Sequence, residues 1–134
     1  MDLALARGAK KAVRLAVSVA AHSPLMSSVT GQFSQALANV QFHNPENCIY
    51  SNASAVPMIA LEDIRFQLSR QLTHSVRWRE SIDAMIKDSG ATLFIEVGPG
   101  DVLTGLVKRI NRDVGRVTIN SVSSLRAWLQ SLGG

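Results

Sequence analysis

The chain is short of most features by which a sequence announces its chemistry. Its single cysteine, Cys48, excludes an internal disulfide and a cysteine-rich metal site, and its apolar surroundings predict a buried, inert thiol. Aromatic residues make up 5% of the chain, and the basic groups Lys10-Lys11, Arg77-Arg79 and Lys108-Arg109-Arg112 are not interleaved with them. No stacking surface for nucleic acid follows from that pattern. No apolar run reaches the roughly 18 residues of a membrane helix, and the opening Met1-Asp2-Leu3-Ala4-Leu5-Ala6-Arg7 lacks the layout of a signal peptide. A cytoplasmic chain without membrane or nucleic-acid partners and with no metal site is expected. The G-x-S-x-G nucleophile elbow of α/β acyl-transfer enzymes is absent, as are the dinucleotide fingerprint and the P-loop.

What is present is a globular composition. With 134 residues, 46% of them hydrophobic and 18% charged, the chain is the size of one domain and can bury a core. Its net charge of +4 suits an acidic partner. Residues 2 to 8 read as the last turns of a helix stopped at Gly8. Val13 to Val19 alternates as a strand, and the spacing Leu25, Val29, Phe33, Leu37, Val40 predicts a helix of about four turns. A turn at 43–47 leads to a short strand over 48–51 and a loop over 52–57 that reads as a surface connection. Helices are expected over 62–72, from Trp78 to a stop at Gly90, over 102–111 and after Ser121. Thr92 to Val97 is a near-continuous apolar run, typical of a central strand covered on both faces, and 114–120 supplies another strand. Strands alternating with helices imply an α/β fold with a mainly parallel, layered sheet of about four strands and five helices.

Two places carry candidate chemistry. In Ala16-Val17-Ser18-Val19-Ala20-Ala21-His22-Ser23-Pro24-Leu25-Met26 an apolar run ends at a histidine, and a helix start follows at once. Ser23 suits the N-cap and Pro24 the first helical position. His22 therefore falls at a strand-to-helix bend, where ligands and reacting side chains collect in open α/β sheets. Gly98-Pro99-Gly100 also joins a strand to a helix. Free N–H groups there suit an anion, but Asp101 would repel one, so a tight structural turn is the preferred reading.

Taken together, residues 16–26, Arg70-Gln71-Leu72 with Val76-Arg77-Trp78, and Ile95 to Leu106 resemble, in order and spacing, the C-terminal part of the malonyl-CoA:acyl carrier protein transacylases, relatives of polyketide synthase acyltransferase domains. The resemblance implies the C-terminal half of an α/β-hydrolase-like acyltransferase domain. Residues 1–19 would be the last helix and strand of a ferredoxin-like small subdomain, and residues 20–134 the returning part of the large domain. It implies transfer of malonyl from coenzyme A to the phosphopantetheine thiol of acyl carrier protein, in fatty acid biosynthesis, through a malonyl-serine intermediate and without a permanently bound cofactor.

By the same resemblance His22 is the general base, and the main-chain carbonyl of Gln71 orients it. Gly98, Pro99 and Gly100 form the family's structural turn. The nucleophilic serine and the arginine that binds the malonyl carboxylate belong to a missing N-terminal half, so the chain alone is expected to be a fragment without activity, and no substrate-binding residue is assigned. Asp101 stands where a basic residue is frequent, and Ala21 where phenylalanine or serine is common, which leaves the extender unit open. The alternatives are a non-catalytic remnant that binds the carrier protein and a piece of a polyketide synthase acyltransferase domain.

Overall fold

The computed structural model describes residues 1–14 and 17–133. Among them the element order is α1 (Asp2–Ala6), a 3-10 segment (Pro24–Val29), α2 (Thr30–Ala38), β1 (Ile49–Tyr50), β2 (Pro57–Met58), α3 (Leu61–Gln71), α4 (Trp78–Ser89), β3 (Leu93–Val97), α5 (Val102–Ile110), β4 (Gly115–Ile119) and α6 (Val122–Leu132). The four strands form two separate pairs rather than one layered sheet. β1 and β2 are antiparallel, with Ile49 opposite Met58, and β3 and β4 are parallel, with Leu93 opposite Gly115 and Val97 opposite Ile119.

The ordered heart of the molecule is the β3–α5–β4 crossover with α4 packed on it. Ile82 of α4 is 1% exposed and meets Val107 of α5 and Val114, with Trp78, Met85, Ile86, Phe94 and Ile110 around them. Local sequence explains these elements. Gly90 adopts the left-handed conformation that ends α4, a geometry glycine reaches without strain. Ser121 caps α6, its hydroxyl accepting from the Ser124 amide at 3.1 Å.

Several expectations are corrected. β3 is not covered on both faces. Phe94 and Glu96 point toward α5 and are half-buried, whereas Leu93, Ile95 and Val97 are exposed, Val97 by 77%. Among the described residues β3 pairs with β4 alone, so its other edge is open. The strand expected over 13–19 falls partly on residues 15 and 16, which lie outside the described residues. Residues 13, 14, 17 and 18 on either side form no ladder, because no described strand lies alongside to accept their hydrogen bonds.

The helix expected from Pro24 begins as a 3-10 segment. There Ser27 donates to the Pro24 carbonyl and Thr30 donates to the Ser27 carbonyl at 2.8 Å, so side-chain hydroxyls compete with the α-helical pattern. The loop over 52–57 is no plain surface connection. The Ser51 amide donates to the Val56 carbonyl, Ser51 and Ala55 are buried, and the Arg77 amide donates to the Asn52 carbonyl at 2.8 Å, which ties the hairpin to the start of α4. Cys48 is exposed rather than buried, since it precedes β1 on the outer side of that hairpin.

The accessible surface is 10068 Å², whereas a folded monomer of 14.5 kDa exposes roughly 6,900 Å². The difference, roughly 3,200 Å² by the same scaling, is as large as an obligate interface. Exposed apolar side chains such as Val17, Leu25, Ile59 and Val97 contribute to it.

Candidate active site

His22 sits in a locked bend. Its φ is 61°, left-handed backbone that non-glycine residues seldom adopt and that is found preferentially at functional positions. Ser23 holds the chain on both sides of it. The Ser23 hydroxyl donates to the Ala20 carbonyl at 2.8 Å and accepts from the Leu25 amide at 3.3 Å. With φ −140° and ψ 160°, Ser23 has the extended geometry of an N-cap. The bend aims the half-buried imidazole at the C-terminal end of α3.

There, His22 Nδ1 lies 2.8 Å from the Gln71 carbonyl oxygen. The two residues are 49 positions apart in sequence, and the fold brings them together. The last carbonyls of a helix have no partner within it, so the end of α3 offers a ready acceptor. A carbonyl only accepts, so Nδ1 carries the proton and donates. The other ring nitrogen, Nε2, then holds its lone pair when the ring is neutral, and it has no hydrogen-bond partner among the described residues. A neutral carbonyl fixes this tautomer without the charge stabilisation that a carboxylate lends an imidazolium. Two open grooves flank the contact, one running from Tyr50 past Met58 to Gln71 and one lined by Pro24, Ser27, Thr30, Thr73 and His74.

The Gly98–Gly100 turn is a different construction. Gly98 and Gly100 have φ of 143° and 103°, conformations that require glycine, and space for a Cβ is open at both. Backbone conformation rather than close approach therefore explains the residue type. The helix start that follows is already filled. The Glu96 carboxylate accepts from the Leu103 amide at 3.1 Å, from the Thr104 amide at 2.7 Å and from the Thr104 hydroxyl at 2.9 Å. The chain thus supplies its own anion to the dipole of α5. The Thr104 amide, above all, holds the Glu96 carboxyl below the usual carboxylate range. Asp101 stands at the N-cap without a side-chain capping bond.

Sequence reasoning missed Glu96, although it is the one charge in the run 92–97 and that isolation was the available signal. It also missed Arg70 and His74, which clasp one another at the end of α3; their spacing of four near a helix C-terminus was readable. No three His, Cys, Asp or Glu residues converge as a metal-ligand set among the described residues.

The parallel crossover, the bend-held histidine and the carbonyl behind it make up an α/β unit that presents a free imidazole nitrogen. No protein-family model matches the chain, but individual relatives do. It is 40% identical over 120 residues to the malonyl CoA-acyl carrier protein transacylase of Haemophilus influenzae, a match covering 90% of this chain and 38% of the relative. The solved transacylase of Xanthomonas oryzae superposes with a TM-score of 0.88 at 34% identity, over 97% of this chain and 41% of that one. A malonyl-transacylase solved with a type II polyketide acyl-carrier protein gives 0.87 at 36% identity, over 97% and 42%. The chain is thus similar over nine tenths or more of its length to malonyl CoA-acyl carrier protein transacylases, and it spans about two fifths of the length of these relatives.

Proposed function

We propose that this chain supplies the general base for malonyl transfer from coenzyme A to the phosphopantetheine thiol of acyl carrier protein, with His22 as that base. The observation that carries the reading is the 2.8 Å contact from His22 Nδ1 to the Gln71 carbonyl, which leaves Nε2 free as a proton acceptor. A serine hydroxyl from the complementary part of the enzyme gives its proton to Nε2 as its oxygen attacks the malonyl thioester carbonyl. The carbon–sulfur bond then breaks, and the departing coenzyme A thiolate takes the proton from Nε2. In the second half the carrier's thiol passes its proton to Nε2 and attacks the ester, and the serine oxygen recovers the proton as it leaves. The carbonyl-held histidine suits a thioester, which is more reactive than an amide. No permanently bound cofactor is needed, and the setting is cytoplasmic fatty acid biosynthesis.

On this reading residues 1–19 belong to the small subdomain and 20–134 to the large one, and the missing part of the enzyme covers the exposed apolar surface. Gly98, Pro99 and Gly100 shape the turn that presents Glu96 to α5. The test is reconstitution: this chain, alone and together with the N-terminal segment of a relative, is assayed for malonyl transfer from malonyl-CoA to holo carrier protein. Activity is expected only for the pair, and His22→Ala lowers it by about 10⁴-fold or more, the scale for losing the base of a serine–histidine pair. Transfer by the isolated chain sinks the reading. A pair that binds carrier protein but transfers nothing favours a non-catalytic remnant.

A further inference from the structure

The end of α3 holds a second histidine. His74 Nε2 accepts from Arg70 Nε at 3.1 Å. A nitrogen that accepts from a guanidinium carries no proton, so in a neutral ring the proton is on Nδ1. That nitrogen lies 3.0 Å from the Arg70 carbonyl and 3.0 Å from the Thr73 hydroxyl oxygen. One imidazole thus grips both the backbone and the side chain of Arg70, closing a ring of contacts over the last turn of the helix. The Arg70 carbonyl also takes the amides of Thr73 and His74, each at 3.1 Å, and the Thr73 hydroxyl at 3.3 Å. The guanidinium is steadied on its other side by the Phe66 ring, 5.3 Å away.

The consequence falls on the next residue. The donors of the 73–74 turn converge on the carbonyl of Arg70, and the carbonyl of Gln71 is left for His22 Nδ1. Two successive carbonyls at a helix end, where acceptors lack partners within the helix, thus meet different histidines, that of Arg70 meeting His74 and that of Gln71 meeting His22. We propose that His74, with Arg70, is a positioning residue: it directs the turn's donors onto the Arg70 carbonyl and so keeps the Gln71 carbonyl aimed at His22. The clasp acts through Gln71 and does not touch the reacting atoms. Its relevance to catalysis rests on His22 being the base, but its effect on the His22 ring does not.

The experiment reads that ring directly. The chain has three histidines, His22, His43 and His74, so long-range ¹H–¹⁵N correlation spectra of the full chain, above the pH at which the rings are protonated, report each tautomer separately. His22 is expected as the Nδ1–H form. In His74→Ala the ratio of Nδ1–H to Nε2–H at His22 falls at least threefold. His74→Gln has an amide with both a donor and an acceptor and restores most of it, and His43→Ala, at an exposed position outside any helix or strand, leaves it unchanged. An unaltered His22 ratio in a folded His74→Ala overturns the proposal. If that variant loses its dispersed amide spectrum, Arg70→Lys, which keeps the charge and removes the Nε donor, is read the same way and decides the matter.

In the reconstituted enzyme His74→Ala is expected to lower kcat about tenfold with KM unchanged. A wild-type pair that transfers nothing refutes the catalytic reading and leaves the tautomer result standing.

Discussion

The two ends of this molecule are built differently. Every buried residue among those described lies between Ser51 and Ile119, and none lies in the first fifty. The later part closes on itself. α4, β3 and α5 share with Val114, just before β4, one cluster in which Ile82 and Val107 are nearly sealed from solvent, and the helix starts beside it are satisfied internally, Glu96 serving that of α5 and Ser121 that of α6. The earlier part is also rich in apolar residues but seals none of them from solvent, with Val17 and Leu25 each about three-quarters exposed. Its fixed point is His22, tied across 49 residues to Gln71. Apolar surface is favourable only when something covers it. The difference therefore separates a region that forms its own core from one whose apolar side chains stay on the surface, where the proposed function requires a cover.

The comparison is broken or sharpened most strongly by Ile82→Ala. It should destabilise the chain by about 2–5 kcal/mol in urea denaturation, the range for emptying a well-packed core site, while Leu25→Ala changes stability by less than about 0.5 kcal/mol, as an exposed position does. Equal effects at the two sites would erase the distinction. Val97→Asp comes next. On the open face of β3 it should leave the isolated chain within about 0.5 kcal/mol of the parent, yet weaken association with the complementary segment by about 100-fold, because the interface would then bury an unpaired charge; titration calorimetry with both variants measures it.

Ser121→Ala removes the cap of α6 and should cost about 1 kcal/mol, placing that helix with the self-sufficient region. The smallest effect is one of pH. Glu96 is held below its ordinary value of 4.5 by the Thr104 and Leu103 amides. Its folded value is depressed, so its contribution is fully present above the unfolded value and is lost as pH falls through the lower folded one. Thermal midpoints followed from pH 7 to pH 3 should therefore decline less steeply below about 4.5 in Glu96→Gln than in the parent.

How much of this was legible in the sequence divides along the same line. α4 to its stop at Gly90, α5, β4 and the Ser121 cap follow from local patterns, since periodicity, a cap residue and a left-handed glycine act within a few positions. The β1–β2 hairpin was half visible, because a two-residue strand leaves no period to read and Pro57-Met58 looks like loop. The exposure of Leu93, Ile95 and Val97 was not legible, because alternation and apolar runs report what a strand would bury, not whether this chain supplies the cover. His22 was legible as a histidine at a bend, through Ser23 and Pro24. Its pairing with Gln71 was reachable only through the family resemblance, since no local rule links positions so far apart. The His74–Arg70 clasp is the reverse case, a local spacing passed over because a histidine at a helix end reads as ordinary.

Amide hydrogen exchange on the chain, alone and bound to the complementary segment, tests the division directly. α4 and α5 should be protected in both states, whereas residues 17–30 and the amides on the open edge of β3 exchange quickly alone and slow by at least tenfold on binding, as local opening is suppressed. Protection of residues 17–30 in the isolated chain as strong as that of α4, or no change there when the complement binds, would contradict the account.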